Sequence, residues 1–206
     1  MSLNMETRTM FGRKVIYSDL TEITRENVVD ALRDAMGVHM KNSAEIDYLY
    51  NYYRGRQPIL GRVKQIRPEI NNKVVENHAL EIVNFKKGYV FGEPVQYVRR
   101  GEREDVSEKI TKLNEYMFAE DKAAKDAELA EWFFICGTAN RMILPDGLAG
   151  EDSDESPFEI ETLDPRYSFV VYSNSFGRPP LMGVKYIEQK EKKLFSVYTK
   201  DSYFEI

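Results

Sequence analysis

Apolar residues in the first two thirds of the chain recur every three or four positions, which is the spacing of an amphipathic helix. The pattern predicts a first helix that begins after Thr24 and that Gly37 weakens or ends. A second helix is expected from Ser43 to about Gly55, because Pro58 forbids its continuation. The apolar face of this second helix is Ile46, Leu49, Tyr50 and Tyr53.

A third helix is predicted over about residues 72–87. Its end is marked by two lysines and Gly88, because cations favour the negative end of a helix dipole and glycine adopts the left-handed cap. Residues 89–98 then change to a β-like pattern. Gly92 and Pro94 interrupt this pattern, which indicates a bulge or an edge strand. The face of the third helix is Val75, Ala79, Ile82, Val83 and Lys86.

Two more helices follow, and their apolar positions again share one face each. The later of the two is expected to begin near Asp121 and to end at Gly137. The first face consists of Val106, Ile110, Leu113 and Met117. The second face consists of Leu129, Trp132, Phe133 and Cys136.

After Gly137 the pattern becomes that of strands separated by turn residues such as Asp164-Pro165 and Ser173-Asn174. Candidate strands lie at 139–144, 158–163, 167–172, 182–189 and 194–199, and from 202 onward. N-terminal helices followed by antiparallel strands predict an α+β fold.

The domain organisation is predicted as an arm followed by one domain. Residues 1–20 show no sustained period and are expected to form an N-terminal arm, whose first residues are typical of residues added for expression. Residues 21–206 are expected to form one α+β domain. Tyr203-Phe204-Glu205-Ile206 has a strand pattern with no polar tail after it, whereas termini usually fray into solvent. We therefore expect a domain that is incomplete at its C-terminus.

Net charge, cysteine count and the length of apolar runs argue against several classes of function. The chain has 206 residues, a net charge of −5 and a single cysteine, Cys136. An acidic chain lacks the general attraction for nucleic-acid phosphate that clustered Lys and Arg provide. One cysteine permits no disulfide within the chain. No apolar run reaches the roughly 20 residues that a membrane span needs, so no membrane partner is expected.

The chain contains no sequence motif of a known catalytic or metal site. His39 and His78 are far apart, and His78 is predicted to pack at the boundary of a helix face. Cys136 lies among aromatic residues and is predicted to be a buried structural thiol. The acidic run at 151–155 lacks the ligand spacing of an EF-hand and is expected to be a solvated loop. Neither a Walker motif nor GxGxxG occurs. We expect no enzyme activity, no metal and no cofactor.

One cluster of aromatic and basic residues is a candidate binding surface. Its members are Tyr48, Tyr50, Tyr52, Tyr53, Arg54 and Arg56. Such a cluster can stack on bases or bind phosphate. Tyrosine and arginine also anchor protein–protein contacts, and the acidic net charge favours that interpretation. We predict a subunit interface that includes Tyr50, Tyr53, Arg54 and Arg56.

Several stretches, in order, resemble the portal proteins of long-tailed siphophages. The first is Tyr52-Tyr53-Arg54-Gly55-Arg56-Gln57-Pro58-Ile59-Leu60. The second begins with Asn71-Asn72-Lys73-Val74-Val75-Glu76-Asn77-His78 and leads into Ile82-Val83-Asn84-Phe85-Lys86-Lys87-Gly88-Tyr89-Val90-Phe91-Gly92-Glu93-Pro94-Val95-Gln96-Tyr97. The later ones are Lys125-Asp126-Ala127-Glu128-Leu129, Gly137-Thr138-Ala139, Asp164-Pro165-Arg166, Phe169-Val170-Val171-Tyr172-Ser173-Asn174 and Gly183-Val184-Lys185-Tyr186.

The resemblance implies a homo-oligomeric ring, typically dodecameric, at one vertex of a phage or prophage head. Such rings nucleate capsid assembly, pass double-stranded DNA during packaging and ejection, and join the tail. The implied partners are terminase, capsid and scaffold proteins and head–tail adaptors. The implied location is the virion, with assembly in the host cytoplasm. The chain resembles the outer wing, truncated before the stem. Within the matched stretches, Gly88, Gly92, Pro94, Asp164 and Pro165 are predicted to determine the fold.

Three hypotheses follow from the sequence. A structural assembly subunit predicts rings and no turnover. A nucleic-acid-binding module that uses the cluster at 48–56 predicts binding to DNA with a steep salt dependence. An enzyme with carboxylate chemistry predicts a concave pocket with perturbed acids. The resemblance and the missing catalytic motifs favour the first.

Overall fold

The computed structural model describes residues 13–101, 104–145, 156–190 and 192–206. The predicted acidic loop at 151–155 and the first residues of the arm lie outside this described part. Its helices are α1 (Val28–Tyr53), α2 (His78–Phe91), α3 (Glu104–Ala119) and α4 (Lys122–Cys136). Its strands are β1 (Ile16–Ser18), β2 (Asn140–Pro145), β3 (Phe158–Leu163), β4 (Ser168–Ser173), β5 (Pro180–Gln189), β6 (Lys192–Tyr198) and β7 (Tyr203–Glu205). The predicted α+β class is confirmed. The chain forms two compact units, Met1–Leu49 with Pro165–Ile206, and Tyr50–Asp164.

The first unit is built on a five-stranded sheet in the order β1-β4-β5-β6-β7. Strands β4 to β7 pair antiparallel, as the alternating pattern predicts. Strand β1, within the expected arm, was not predicted and pairs parallel with β4, with Ile16 opposite Val171. Its hydrogen bonds come from residues more than 150 positions away, so the local sequence carries no signal for it.

The core of the first unit lies between the sheet and the N-terminal half of α1. Buried side chains of α1 meet those of β4, β5 and β6, and Val197 is completely inaccessible to solvent. Burial of apolar area of this kind is the main force that stabilises a fold. The cluster consists of Ile16, Ile23, Val28, Ala31, Leu32, Ala35, Phe169, Val171, Leu181, Met182, Val184, Tyr186 and Val197.

Helix α1 is continuous through Gly37, so the predicted break there is wrong. Buried residues keep helical spacing on both sides of the glycine, from Ala35 to His39 and on to Ile46. Packing of that continuous face offsets the roughly 1 kcal/mol that glycine costs in a helix. Ser43 is therefore not a cap but an interior residue, whose Oγ donates to the carbonyl of Arg166 at 3.0 Å.

The second unit contains α2, α3, α4 and the β2–β3 hairpin, in which Asn140 pairs with Leu163 and Pro145 with Phe158. Helices α3 and α4 and both strands lie where the sequence predicts them. Gly137 ends α4 with a φ of 67°, and its N–H donates to the carbonyl of Phe133 at 2.7 Å. This left-handed cap is the conformation that favours glycine.

Helix α2 departs from its prediction at both ends. It begins at His78 rather than near 72, because the Asn77 side chain accepts a hydrogen bond from the N–H of Leu80 and caps it. It then runs through Gly88 to Phe91, so the predicted end at Gly88 is wrong. No strand forms over 89–98 in the described residues. Instead, the side-chain amide of Asn114 hydrogen-bonds the backbone of Tyr97. It accepts from the Tyr97 N–H at 3.1 Å and donates to the Tyr97 carbonyl at 3.0 Å.

Candidate subunit interface

Two of the four residues predicted to contact another subunit are engaged within the second unit. The Tyr53 ring is buried, and its hydroxyl donates to Oε1 of Glu131 at 3.1 Å. Burial, followed by the charge of Glu131, raises the pKa of Tyr53 to about 12. The Tyr50 ring stacks on Trp132 with centroids 5.1 Å apart.

The carboxylate of Glu131 joins the last turn of α1 to α2 and α4. Its second oxygen accepts from Lys87 Nζ at 2.5 Å. Asn77 adds a further tie, because its Nδ2 donates to the carbonyl of Tyr53 at 2.9 Å. Lys87, predicted only as a cation near a helix end, therefore has a specific partner 44 positions away.

The other two predicted interface residues, Arg54 and Arg56, are exposed. Arg56 makes a long hydrogen bond of 3.4 Å to Oδ1 of Asn51. Both guanidinium groups face solvent and suit contacts with another molecule. The same placement weakens the nucleic-acid alternative, because the rings of Tyr50 and Tyr53 already pack inside the unit.

The residues predicted to determine the fold have different roles. Gly88 lies inside α2 with open space where a Cβ would be, so no special backbone conformation requires it. Gly92 follows the helix in a right-handed conformation, but a Cβ there would overlap the carbonyl oxygen of Gly88. Pro94 is exposed in an irregular segment, and Pro165 is fully buried in a turn that follows Asp164.

The structure reveals a polar cluster around His39 that the sequence analysis did not single out. His39 is 1% exposed, stacks on Phe169 with centroids 4.3 Å apart and meets Tyr186 edge-on. Its Nε2 lies 3.0 Å from the carbonyl oxygen of Arg166, which also accepts from Ser43 and Tyr186. Burial lowers the pKa of His39 against the opposing effect of that carbonyl. Its position on the buried face of α1 was the signal available in the sequence.

His78 is exposed, so the prediction of a packed boundary histidine is wrong. It is the first residue of α2, and its ring lies 3.0 Å from a Glu81 oxygen and 3.1 Å from a Glu76 oxygen. The hydrogen bond with Glu81 is the largest cause of a raised pKa of His78, and the hydrogen bond with Glu76 raises it further. The buried side of α2 contains Val83 and not Ile82, and His78 lies outside it.

A second polar cluster links α4 to β2. The largely buried Asp126 accepts from Lys122 in its own helix and from Arg141 Nη1 in β2, the latter at 2.7 Å. Burial opposes ionisation of Asp126, but the hydrogen bonds from both cations outweigh it and lower the pKa of the carboxyl group. In the described residues, Nε and Nη2 of Arg141 are buried without a hydrogen-bond partner.

Cys136 is buried at the end of α4, as predicted, and its thiol lies near the carbonyl oxygens of Trp132 and Thr138. Among the described residues, no group of three or more His, Cys, Asp or Glu is arranged to hold a metal ion. The helices of this same part contain no stretch long and apolar enough to span a membrane.

Comparison with known families gives one match. Residues 38–206 match the family model described as phage portal protein, SPP1 Gp6-like. The match covers most of the chain, including α2, α3, α4 and strands β2 to β7. No curated protein matches the chain.

Proposed function

The chain belongs to the SPP1 Gp6-like family of phage portal proteins, and from that membership we propose that it is a subunit of a portal ring at a phage or prophage capsid vertex. The ring would form the channel for DNA packaging and ejection and the platform on which the tail attaches. The family match over residues 38–206 is the observation that carries the proposal.

The proposed role is structural. The polar clusters around Glu131, Arg166 and Asp126 each tie elements of one unit together, which suits a subunit that transmits load. We propose that the protein turns over no substrate and that a separate terminase ATPase supplies the energy for packaging. We propose that both compact units belong to the wing of the subunit.

The proposed partners follow from the position at the vertex. They are other copies of the subunit, twelve in a typical ring, together with terminase, capsid and scaffold proteins and head–tail adaptors. Double-stranded DNA would pass through the channel. Assembly would take place in the host cytoplasm and end in the virion.

Negative-stain electron microscopy of the complete gene product, with residues 1–206 imaged beside it, tests the proposal. We expect rings with a central hole from the complete gene product. A monodisperse monomer at high protein concentration and at several salt concentrations would contradict the ring.

The nucleic-acid alternative retains Tyr52, Arg54 and Arg56 as exposed members of its cluster. It requires that residues 1–206 bind DNA on their own with a steep salt dependence. The net charge of −5 leads us to expect no such binding. Fluorescence anisotropy with a labelled duplex at several salt concentrations separates the hypotheses, and Arg54→Ala with Arg56→Ala is the matched variant should binding occur.

A further inference from the structure

The second unit leaves much of its apolar surface uncovered. Its buried hydrophobic residues among those described are Tyr53, Val83, Ala130, Cys136 and Ile160. Its large hydrophobic residues that are more than half exposed are Val63, Ile66, Ile70, Val74, Ile82, Phe85, Tyr89, Val90, Val95, Val98, Phe118, Phe133 and Ile143. Apolar surface on this scale marks a surface that binds another molecule.

One of these surfaces is the outer face of α2, formed by Ile82, Phe85 and Tyr89. These residues follow one another at helical spacing, on the side away from the buried Val83. Phe85 is 73% and Tyr89 84% exposed, and their rings stack with centroids 6.2 Å apart. An aromatic side chain can bury 150–250 Å², so a partner that covers both rings would remove about 300 Å² of apolar surface from water. We call this surface the α2 aromatic face.

A second surface is the tip of an arm formed by residues 57–76. Four side chains bridge its two limbs by donating to backbone carbonyls on the opposite limb. The pairs are Gln57 with Glu76, Lys73 with Leu60, Asn71 with Arg62, and Lys64 with Ile70. Each pair lies inside the one before it along the chain, so the two limbs run antiparallel. They meet at a turn in which the Ile70 N–H donates to the Arg67 carbonyl. Val63 and Ile66 at the tip are 81% and 82% exposed.

We propose that the arm tip of one copy packs on the α2 aromatic face of the next copy around the ring. The inference rests on the proposed ring and names the surfaces that join its subunits. A ring of more than two subunits requires a heterologous contact, in which two different surfaces of the same chain meet. The second unit supplies two such surfaces, a narrow apolar tip and a broader aromatic face.

The charges around the two surfaces complement one another. At the arm tip, exposed Arg62 and Arg67 outnumber exposed Glu69. On α2 and just after it, exposed Glu81 and Glu93 outnumber exposed Lys86. Aromatic rings also attract cations to their faces. A pairing of α2 with α2 would instead bring like charges together and would close as a dimer.

Cysteine cross-linking tests the contact directly. Cys136 is the single cysteine of the 206 residues and is buried. Disulfides formed on oxidation therefore come from the thiols introduced at exposed positions. Ile66→Cys and Tyr89→Cys are combined in the complete gene product, with any cysteine beyond residue 206 replaced by serine. After mild oxidation of assembled rings, we expect a ladder of disulfide-linked oligomers on a denaturing gel. A mixture of the two single variants should give cross-linked pairs and nothing larger.

The control pairs Ile66→Cys with Phe176→Cys, because Phe176 is fully exposed on the turn between β4 and β5. Neither single variant nor this control should form a ladder. Rings that show no Ile66–Tyr89 ladder would overturn the proposed contact and leave the portal function standing. Dimers from Tyr89→Cys alone would also overturn it, in favour of two-fold packing. Absence of rings in electron microscopy would instead overturn the proposed function, and the contact with it.

Discussion

At the scale of single residues, buried polar groups in this protein are matched to specific partners. Three side chains approach the carbonyl oxygen of Arg166, and burial lowers the pKa of one of them, His39. In the unfolded chain the same histidine takes up a proton near its ordinary pKa of 6.5. The unfolded state therefore binds more protons below that pH, and stability falls as the pH falls.

This linkage gives a prediction for His39→Phe. The phenyl ring retains the stack on Phe169, and Ser43 and Tyr186 still donate to the Arg166 carbonyl. We expect a loss of about 1 kcal/mol at pH 7.5, the usual net worth of one hydrogen bond. Between pH 7 and 5.5 the wild type should lose stability more steeply than the variant, as measured by urea denaturation followed by circular dichroism.

His78 contributes the opposite slope, because its raised pKa stabilises the folded state at low pH and that contribution is lost as the pH rises through the folded value. His78→Gln serves as the control and should make the fall in stability below pH 7 steeper. Parallel pH profiles for wild type and His39→Phe would show that His39 is not the titrating group.

Gly88 and Gly92 form a second matched pair at this scale. Gly92→Ala forces its new Cβ onto the Gly88 carbonyl, and an overlap with backbone cannot relax cheaply, so we expect a loss of about 1–3 kcal/mol. Gly88→Ala meets open space inside a helix and should gain about 0.5–1 kcal/mol. Urea denaturation measures both variants, and equal effects would remove the special role assigned to Gly92.

At the scale of elements, the strong periodic patterns predicted structure well where turn chemistry agreed with them. Helices α3 and α4 and strands β2 to β7 lie where alternation and helical spacing place them. The errors occurred where burial overrode local preference, as at Gly37, or where a side-chain cap set the boundary, as Asn77 does for α2. Strand β1 exists through its pairing with β4, a contact that no local pattern encodes.

The candidate interface was predictable only in part for the same reason. Helical spacing placed Tyr50 and Tyr53 on one apolar face, but it did not indicate that this face packs within the second unit. The choice of Tyr53 depends on Glu131, 78 positions away. The α2 aromatic face was not predicted, because helical spacing placed Ile82 on the buried side of the helix. In the structure Val83 is buried and Ile82 is exposed.

The link between α4 and β2 gives a prediction for these two elements. Asp126→Asn leaves Lys122 and Arg141 without their counter-charge in a largely buried site, and we expect a loss of about 3–5 kcal/mol. Asp30→Asn in α1 is the matched control, since its ion pair with Arg33 is exposed and should be worth less than about 1 kcal/mol. Chemical denaturation distinguishes them, and a loss of under 1 kcal/mol at Asp126 would contradict the structural role.

At the scale of the whole molecule, the two units differ in how they are stabilised. The first unit has a continuous apolar core of thirteen buried residues around its sheet. The second unit buries few large side chains and relies on polar ties such as Tyr53–Glu131 and Asp126–Arg141. A unit with a small core opens locally at low free-energy cost, and contact with a neighbouring subunit would supply the missing burial.

This contrast predicts where ring formation changes hydrogen exchange. Amides of residues 57–76 lie in an arm held largely by side-chain bridges, so we expect fast exchange in unassembled subunits. In rings their exchange should slow at least about tenfold, equivalent to about 1.4 kcal/mol of local stabilisation. Amides of β4, β5 and β6 belong to the core of the first unit and should exchange alike in both states. Ile66→Ser should reduce the protection of the arm without altering those strands, whereas equal exchange of the arm in rings and unassembled subunits would mean that assembly leaves it uncovered.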